Sequence, residues 1–169
     1  YKSFDIDTNL KPDFIGDVTN MNEIKNESFD LVCAFQVLEH MIYEKFFLAI
    51  KEMSRISKNF VFISIPCELN SFNLSMKLSL KARIIHRLSC NFNLLIRLPN
   101  FFIKDINIEK LIERDDKINP HYWEVGRPSY PKKKILKVIK KSNLEIIKCF
   151  HNKQFAYHWF ILCKKVNAK

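Results

Sequence analysis

Apolar positions fall into runs of two kinds along the chain, and these runs predict alternating strands and helices. Residues 31–35 are almost continuously apolar, which predicts a strand buried on both faces, as in a parallel sheet covered by helices. Residues 43–57 place apolar side chains at helical spacing, which predicts an amphipathic helix. Residues 60–65 are β-branched and aromatic, so they predict a second buried strand that stops at Pro66.

The two ends of the chain extend this pattern. Residues 1–6 and 14–15 are short apolar runs that predict two further strands. Residues 131–141 predict a helix that starts at a proline, and residues 144–150 and 157–164 predict two strands whose short connection favours antiparallel pairing. Strand–helix–strand order implies parallel strands, so the predicted fold class is α/β, a Rossmann-like sheet that is mostly parallel with an antiparallel C-terminal strand.

Residues 68–119 interrupt the alternation of strands and helices. Residues 72–81 alternate apolar and polar side chains with a period of two, yet leucine, methionine and lysine prefer helix. Residues 83–88 predict a basic amphipathic helix, and residues 92–102 are apolar with a break at Pro99. We therefore predict a single domain, residues 1–169, in which residues 68–119 form a helical insertion that caps the site.

Composition excludes several classes of function. The chain has only two glycines, Gly16 and Gly126, which excludes a glycine-rich phosphate loop within it. Its five cysteines are scattered without a Cys-x-x-Cys pair, which predicts reduced packing residues in a cytoplasmic protein. No spacing of histidine, cysteine and aspartate is typical of a zinc site, so the sequence predicts no metal.

The net charge of +10 is concentrated in one half of the chain. Residues 1–67 contain seven Lys/Arg and ten Asp/Glu, whereas residues 68–169 contain 21 and eight. A basic half is typical of a lysine-rich solvated surface, and also of a non-catalytic module that binds nucleic acid or an anionic membrane, here through residues 72–98 and the lysine-rich helix. This module is the alternative function. No aromatic platform alternates with the basic residues, which disfavours nucleic acid and leaves a peripheral membrane contact through the insertion.

Four short motifs bear on the family, and they follow the predicted strand ends: Asp5-Ile6-Asp7, Gly16-Asp17-Val18, Ser28-Phe29-Asp30-Leu31-Val32 and Leu38-Glu39-His40-Met41. Together with the C-terminal helix and strand pair, they resemble the class I S-adenosylmethionine-dependent methyltransferases of the small-molecule type. The resemblance covers residues 1–67 and 120–165. Residues 121–124 and 157–158 are also similar to enzymes of this family that methylate glycans and cell-envelope molecules.

The resemblance implies S-adenosyl-L-methionine as the cofactor and assigns residues to it. Asp5, with Asp7 as the second choice, would bind the ribose hydroxyls, because one carboxylate can accept hydrogen bonds from both. Asp17 and the backbone of Val18 would meet the adenine. The end of the strand at residues 31–35 would lie beside the methionine part and the methyl group, which involves Phe35 and Gln36.

On the acceptor side the resemblance implies a catalytic histidine. His40 is the predicted general base, because imidazole titrates near neutral pH, and a histidine held at the start of a helix by the backbone is the alternative. The predicted substrate-binding residues are Glu39, His121, Tyr122, Trp123 and Glu124. For the last four, an aromatic anchor that fixes a loop under the insertion is the alternative. The implied reaction is methyl transfer to a small-molecule or glycan acceptor.

The family's first strand and its glycine-rich loop would precede Tyr1. That strand is central in the family's sheet, so a chain without it would expose the edges of two neighbouring strands. We therefore expect this chain to be part of a longer protein or an N-terminally truncated product, incomplete or inactive as a methyltransferase by itself.

Overall fold

Eight strands and two α-helices make up the part of the chain that the computed structural model describes, namely residues 1–67, 71–80, 88–97, 121–152 and 157–166. In chain order they are β1 (Phe4–Asp5), β2 (Phe14–Ile15), β3 (Phe29–Phe35), α1 (Tyr43–Ile56), β4 (Ser57–Pro66), β5 (Ser71–Leu80), β6 (Leu88–Arg97), α2 (Lys132–Lys141), β7 (Leu144–His151) and β8 (His158–Lys165). Short 3-10 helices lie at Thr8–Leu10 and Leu38–His40. The chain divides into two units, Tyr1–Glu68 with Ile103–Lys169, and Leu69–Phe102.

A four-stranded sheet in the order β3–β4–β8–β7 forms the centre of the first unit. β3 and β4 pair in parallel through the α1 connection, whereas β8 runs antiparallel to both β4 and β7. β1 and β2 form a second, two-stranded parallel sheet. This mixed, mostly parallel arrangement with an antiparallel C-terminal strand confirms the predicted fold class.

Helix α1 buries the apolar stripe that its sequence predicts. Phe46, Ile50 and Met53, three or four positions apart, are fully buried, and the charged side chains between them are exposed or half-buried. Burial of each large apolar side chain stabilises the fold by about 1.5–3 kcal/mol. The helix passes directly into β4 at Ser57, although the sequence predicted that this strand begins at residue 60.

The loop between β2 and β3 is fixed to α1 by hydrogen bonds with Glu52 and Arg55, which form an ion pair within the helix. Arg55 pairs with Glu52 at 2.8 Å and also donates to the carbonyl oxygens of Met21 and Ile24, at 2.8 and 2.7 Å. Glu52 in turn accepts the Met21 N–H at 2.9 Å. The segment that the sequence predicts to be a polar loop is thereby held in a defined position against the helix.

The prediction that β3 is buried on both faces is wrong. Leu31 and Phe35 are 49% and 46% exposed, and Ala34 on the opposite face is buried. Among the described strands β3 pairs with β4 alone, so it is an edge strand of the four-stranded sheet as described, and α1 contacts it on one side. A strand's own apolar composition does not state how many neighbours will cover it, which is why the sequence overestimated its burial.

The prediction of a helical insertion is also wrong for the described residues of the second unit. β5 and β6 form an antiparallel hairpin with Ser71 opposite Arg97 and Leu80 opposite Leu88. The period-two alternation prevailed over the helix preference of the individual residues, because pairing satisfies every second backbone group of both strands. The predicted basic helix at residues 83–88 and the break at Pro99 fall largely outside the described residues. The capping role of the insertion stays a prediction.

The C-terminal elements agree with the predicted order of helix, strand and antiparallel strand. α2 begins after Pro131, and Ile135 and Ile139 are the residues it buries. None of the helices in the described ranges is long and apolar enough to cross a membrane. Cys67 and Cys163 are buried, as predicted for packing residues, whereas Cys33 and Cys149 are exposed and do not fit that prediction.

Candidate functional site

Three segments of the first unit meet where β3 and β4 end. The 3-10 helix Leu38–His40 follows β3, the loop of residues 121–127 runs beside the end of β4, and Tyr157 directly precedes β8. Val125 donates its N–H to the carbonyl oxygen of Pro66 at 2.9 Å, and Tyr122 donates to the carbonyl oxygen of Glu39 at 2.9 Å. These bonds bring distant polar residues to the end of the sheet where open α/β folds bind ligands.

We call Glu39, His40, His121, Glu124 and Tyr157 the carboxyl-end cluster. His40 and His121 have ring centroids 4.9 Å apart, in an edge-on arrangement. One ligand atom from each of Glu39, His40 and His121 lies within 4.8 Å of the others. The predicted general base is therefore next to a second imidazole and a carboxylate.

Glu124 holds the cluster together. Its Oε1 lies 2.9 Å from His121 Nδ1 and accepts the Tyr157 hydroxyl at 2.7 Å, while Oε2 accepts the Arg127 guanidinium at 2.9 Å. Burial alone would raise the pKa of Glu124, but the hydrogen bonds from His121, Tyr157 and Arg127 together hold that pKa below its ordinary value. Glu124 is therefore an ionised carboxylate that orients its neighbours.

Glu39, in contrast to Glu124, is a carboxyl group whose oxygens have no hydrogen-bond donors among the other described residues. It is 0% exposed, and neither carboxylate oxygen accepts a hydrogen bond from any other residue that the structure describes. Burial raises the pKa of Glu39, although its own backbone N–H and the nearby His121 partly oppose the shift. Burying a carboxyl group without hydrogen-bond partners lowers the stability of the fold, so this group calls for an explanation.

Replacing Glu39 with methionine, which is similar in volume and apolar, should raise the free energy of unfolding by about 1–3 kcal/mol at pH 8. The folded pKa of Glu39 is raised, so the native protein loses stability as pH rises above the ordinary value of 4.5, and the gain should shrink towards pH 4. Urea unfolding of the native chain and the variant between pH 4 and pH 8 measures this gain in stability. Glu44→Met on the exposed face of α1 is the matched control, and an equal gain in both variants would contradict the prediction.

The loop residues of the candidate site separate into two groups. Trp123 is 0% exposed and its Nε1 donates to the carbonyl oxygen of Met41 at 3.0 Å, so no part of its ring is available to a substrate. The prediction that Trp123 binds substrate is corrected to the alternative, an aromatic anchor for the loop. His121 and Tyr122 are half-buried, and their substrate-binding role stays a prediction.

The residues assigned to the cofactor's ribose and adenine lie at the ends of β1 and β2. Asp5 is half-buried, and its Oδ1 accepts the N–H of Asp7 at 2.9 Å. Asp7 instead uses its Oδ1 to cap the first 3-10 helix, accepting the Asn9 N–H at 2.8 Å. Because Asp7 is used as a cap, the geometry favours Asp5 over Asp7 for the ribose. Asp17, which the resemblance assigns to the adenine, accepts both the N–H and the hydroxyl of Thr19, at 2.9 and 2.8 Å.

Phe35 and Gln36 end β3 at the surface. Both are exposed, and Gln36 adopts a left-handed backbone conformation with φ of 57°. A non-glycine residue in that region costs on the order of 1–3 kcal/mol, and such strain is concentrated at functional sites. Asp5 and Val18 are half-buried and Gln36 is exposed, so each is partly accessible for the cofactor contact that the resemblance assigns to it, and these contacts stay predictions.

The sequence did not identify two residues of the site, Arg127 and Tyr157. Arg127 lies three positions after Glu124, a spacing that could have suggested the pair. Tyr157 lies 33 positions from Glu124, and no local pattern links them. The bridge between Cys67 and Val125, the β4–β8 pairing and the hydrogen bond from the Cys67 N–H to the Tyr157 carbonyl oxygen at 2.7 Å bring the two segments together.

Comparison with known proteins supports the family. The sequence pattern of the family described as "Methyltransferase domain" matches residues 6–63, which include Asp17, Gln36 and His40. No curated protein matches the chain by sequence.

Solved structures share the fold at low sequence identity. An O-methyltransferase family protein from Burkholderia thailandensis has a TM-score of 0.53 at 9% identity, over 92% of this chain and 36% of its own length. An S-adenosylmethionine-dependent methyltransferase from Clostridium acetobutylicum has a TM-score of 0.49 at 14% identity, over 90% and 64%. The 1,6-didemethyltoxoflavin-N1-methyltransferase of Burkholderia thailandensis, with its substrate and S-adenosylhomocysteine bound, has 0.47 at 8% identity, over 91% and 51%.

The chain spans 64% of the Clostridium protein and 51% of the toxoflavin enzyme, so the activity of a whole methyltransferase is a proposal for this chain. At these identities the likeness shows the fold alone, and the first of the three structures carries that argument. The methyltransferase-domain family implies S-adenosylmethionine as cofactor, as the sequence predicted. Residues 6–63 carry the family's sequence pattern on the family's fold, and the predicted resemblance to the class I S-adenosylmethionine-dependent methyltransferases is confirmed.

Proposed function

We propose that this chain provides the acceptor side and part of the cofactor site of an S-adenosylmethionine-dependent methyltransferase. The acceptor is a hydroxyl or amine of a small molecule, with glycans and cell-envelope molecules as the predicted class. The observation that supports this most directly is the carboxyl-end cluster, which places His40 directly after the strand end assigned to the methyl group. Its position agrees with ligand binding at the carboxyl ends of parallel strands.

S-adenosylmethionine, when bound, supplies a methyl group that its positive sulfonium already activates. The chain's own residues therefore have two tasks, alignment of the acceptor and removal of its proton. His40 takes the proton that the acceptor hydroxyl or amine loses on methylation. Glu124 fixes the ring of His121 beside His40, so the acceptor-facing wall is rigid before the substrate arrives.

S-adenosylhomocysteine binding, measured by calorimetry on the complete gene product that contains this chain, tests the proposal. Asp5→Asn should weaken the affinity about 10–100-fold, because it removes a charge-assisted hydrogen bond to the ribose. Asp30→Asn is the matched control, since Asp30 is exposed and lies at the start of β3, whereas the cofactor assignment falls at the end of that strand. Absence of binding by the complete product would overturn the proposed function.

The alternative of a basic binding module gains no support from the lysine-rich helix. Lys134 Nζ lies 4.4 Å from the ring centroid of Tyr43, and Lys132 Nζ lies 4.9 Å from that of Trp159. Each contact of this kind is worth about 0.5–1 kcal/mol at exposed sites, so both lysines have a structural role. The membrane contact through the insertion stays a prediction.

A further inference from the structure

The orphaned carboxylate of Glu39 points to a missing positive charge. It is 0% exposed, it accepts no hydrogen bond from another described residue, and two imidazoles adjoin it. Proton transfer by His40 does not require a second histidine or a buried acid. A carboxylate buried beside nitrogen donors is instead the arrangement in which proteins bind cations.

We propose that Glu39, His40 and His121 bind one divalent transition-metal ion. One ligand atom from each residue lies within 4.8 Å of the other two. Nitrogen and oxygen ligands bind Zn²⁺ at about 2.0–2.2 Å in a tetrahedral arrangement, so two ligand atoms of one ion lie about 3.3–3.6 Å apart. The three side chains therefore need to close by at most about 1.5 Å, which rotation of the side chains can supply.

The second ring nitrogen of His121 is hydrogen-bonded to a carboxylate, as is usual for a metal-binding histidine. His121 Nδ1 lies 2.9 Å from Glu124 Oε1, which keeps the ring proton on Nδ1 and the lone pair on Nε2. Glu124 is itself fixed by Tyr157 and Arg127, at 2.7 and 2.9 Å. Carboxylate–histidine–metal chains of this kind hold the ligand ring in one orientation and make it more basic.

The donor set defines the class of ion. Two imidazoles and one carboxylate suit Zn²⁺, Fe²⁺ or Co²⁺, whereas Mg²⁺ and Ca²⁺ prefer sites built from oxygen alone. Three protein ligands leave a position for water or for an acceptor oxygen or nitrogen. Ion binding rests only on the cluster. Its catalytic consequence rests on the proposed function: with His40 as a ligand, the ion would lower the pKa of a bound acceptor hydroxyl, and the proton would pass to solvent water instead of to the imidazole.

Zinc titration against a chromophoric chelator tests the site, and cobalt absorption in the visible region reports its geometry. We expect one equivalent of either ion for the native chain. Glu39→Gln and His121→Gln should each weaken zinc binding at least about 100-fold, whereas His151→Gln should bind as the native chain does. His151 is the matched control because it also removes one histidine, at a position in β7 where it contacts Lys132 and the carbonyl oxygen of His158.

Circular dichroism checks that each variant folds. If His121→Gln does not fold, the zinc affinity of Glu39→Gln decides the outcome. Zinc should raise the unfolding temperature of the native chain and of His151→Gln, and should not raise that of Glu39→Gln. Native zinc affinity in Glu39→Gln, or no zinc binding by the native chain, would overturn the proposed site. Zinc binding by a protein that binds no S-adenosylhomocysteine would overturn the methyltransferase function and support the ion site.

Discussion

Replacing Trp123 with alanine is expected to lower the free energy of unfolding by about 3–5 kcal/mol. The ring is 0% exposed and lies 5.0 Å from the Phe46 centroid, 5.2 Å from Tyr43 and 5.9 Å from Tyr130. Alanine would leave a cavity among these rings and an unpaired carbonyl oxygen at Met41. Few other single substitutions in the described chain remove as much buried apolar volume.

Urea unfolding followed by fluorescence measures the loss, because Trp159 remains to report it. Trp123→Phe keeps an aromatic ring in the pocket and removes Nε1–H, so it should cost less, about 1–2 kcal/mol. A loss below about 1 kcal/mol in Trp123→Ala would show that the loop of residues 121–127 is not packed against α1.

The same variant should also disturb the candidate site. Trp123 lies between His121 and Glu124 in the sequence, and its Nε1 bond to Met41 joins the loop to the segment that carries His40. Loosening that bond would let the His40–His121 ring contact open. We therefore expect Trp123→Ala to weaken zinc binding as well as stability.

Replacing Glu124 with alanine is expected to lower the free energy of unfolding by about 3–5 kcal/mol near neutral pH. The substitution removes the shared acceptor of His121, Tyr157 and Arg127, and it leaves the half-buried guanidinium without this partner. The loss should exceed that of an ordinary surface ion pair, which is worth about 0–1 kcal/mol, because the carboxylate is almost fully buried.

The pH dependence of this loss has a definite sign. The folded pKa of Glu124 is held below its ordinary value of 4.5, so its stabilisation is present above that value and disappears as pH falls through the folded pKa. The difference between the native chain and Glu124→Ala should therefore narrow in acid. This is the reverse of the Glu39 variant, whose gain is largest at high pH.

Unfolding curves of the native chain and the variant at pH 7 and pH 3 measure the difference. Glu145→Ala is the matched control, because Glu145 is an exposed glutamate in β7 and should change stability by less than about 0.5 kcal/mol. Glu124→Gln keeps the shape of the side chain and loses its charge, so its free energy of unfolding should lie between those of the native chain and Glu124→Ala. A difference that stays constant with pH would show that Glu124 is not ionised in the folded protein.

The elements of the fold were largely predictable from the sequence because their signals are local. The apolar stripe of α1 and the strands β3, β4, β7 and β8 all depend on residues a few positions apart. The hairpin of β5 and β6 was missed because the helix preference of single residues was weighed above their period-two alternation. The burial of β3 was overestimated because it depends on neighbours that lie elsewhere in the chain.

The candidate site was predictable only in part. The Leu38–His40 segment and the aspartates at the ends of β1 and β2 were recognised because each directly follows an apolar run. The prediction of no metal relied on short sequence spacings and stays a prediction. The grouping of Glu39, His40 and His121 was not visible to it, because His121 is far from the other two in the chain. Trp123 was assigned to the substrate because an aromatic residue in a polar loop has the same sequence pattern whether its ring faces solvent or the core.

The sequence by itself determined the order and type of the main elements, the family resemblance and the strand ends that carry Asp5, Asp17, Gln36 and His40. Periodicity and turn residues are set within a few positions of the chain, so these features needed no knowledge of the tertiary structure. Only the tertiary structure decided which polar residues face one another. Contacts across 82 positions, such as that of Trp123 with Met41, exist because β3 and β4 pair in parallel and the 121–127 loop docks at their common end, which local sequence cannot specify.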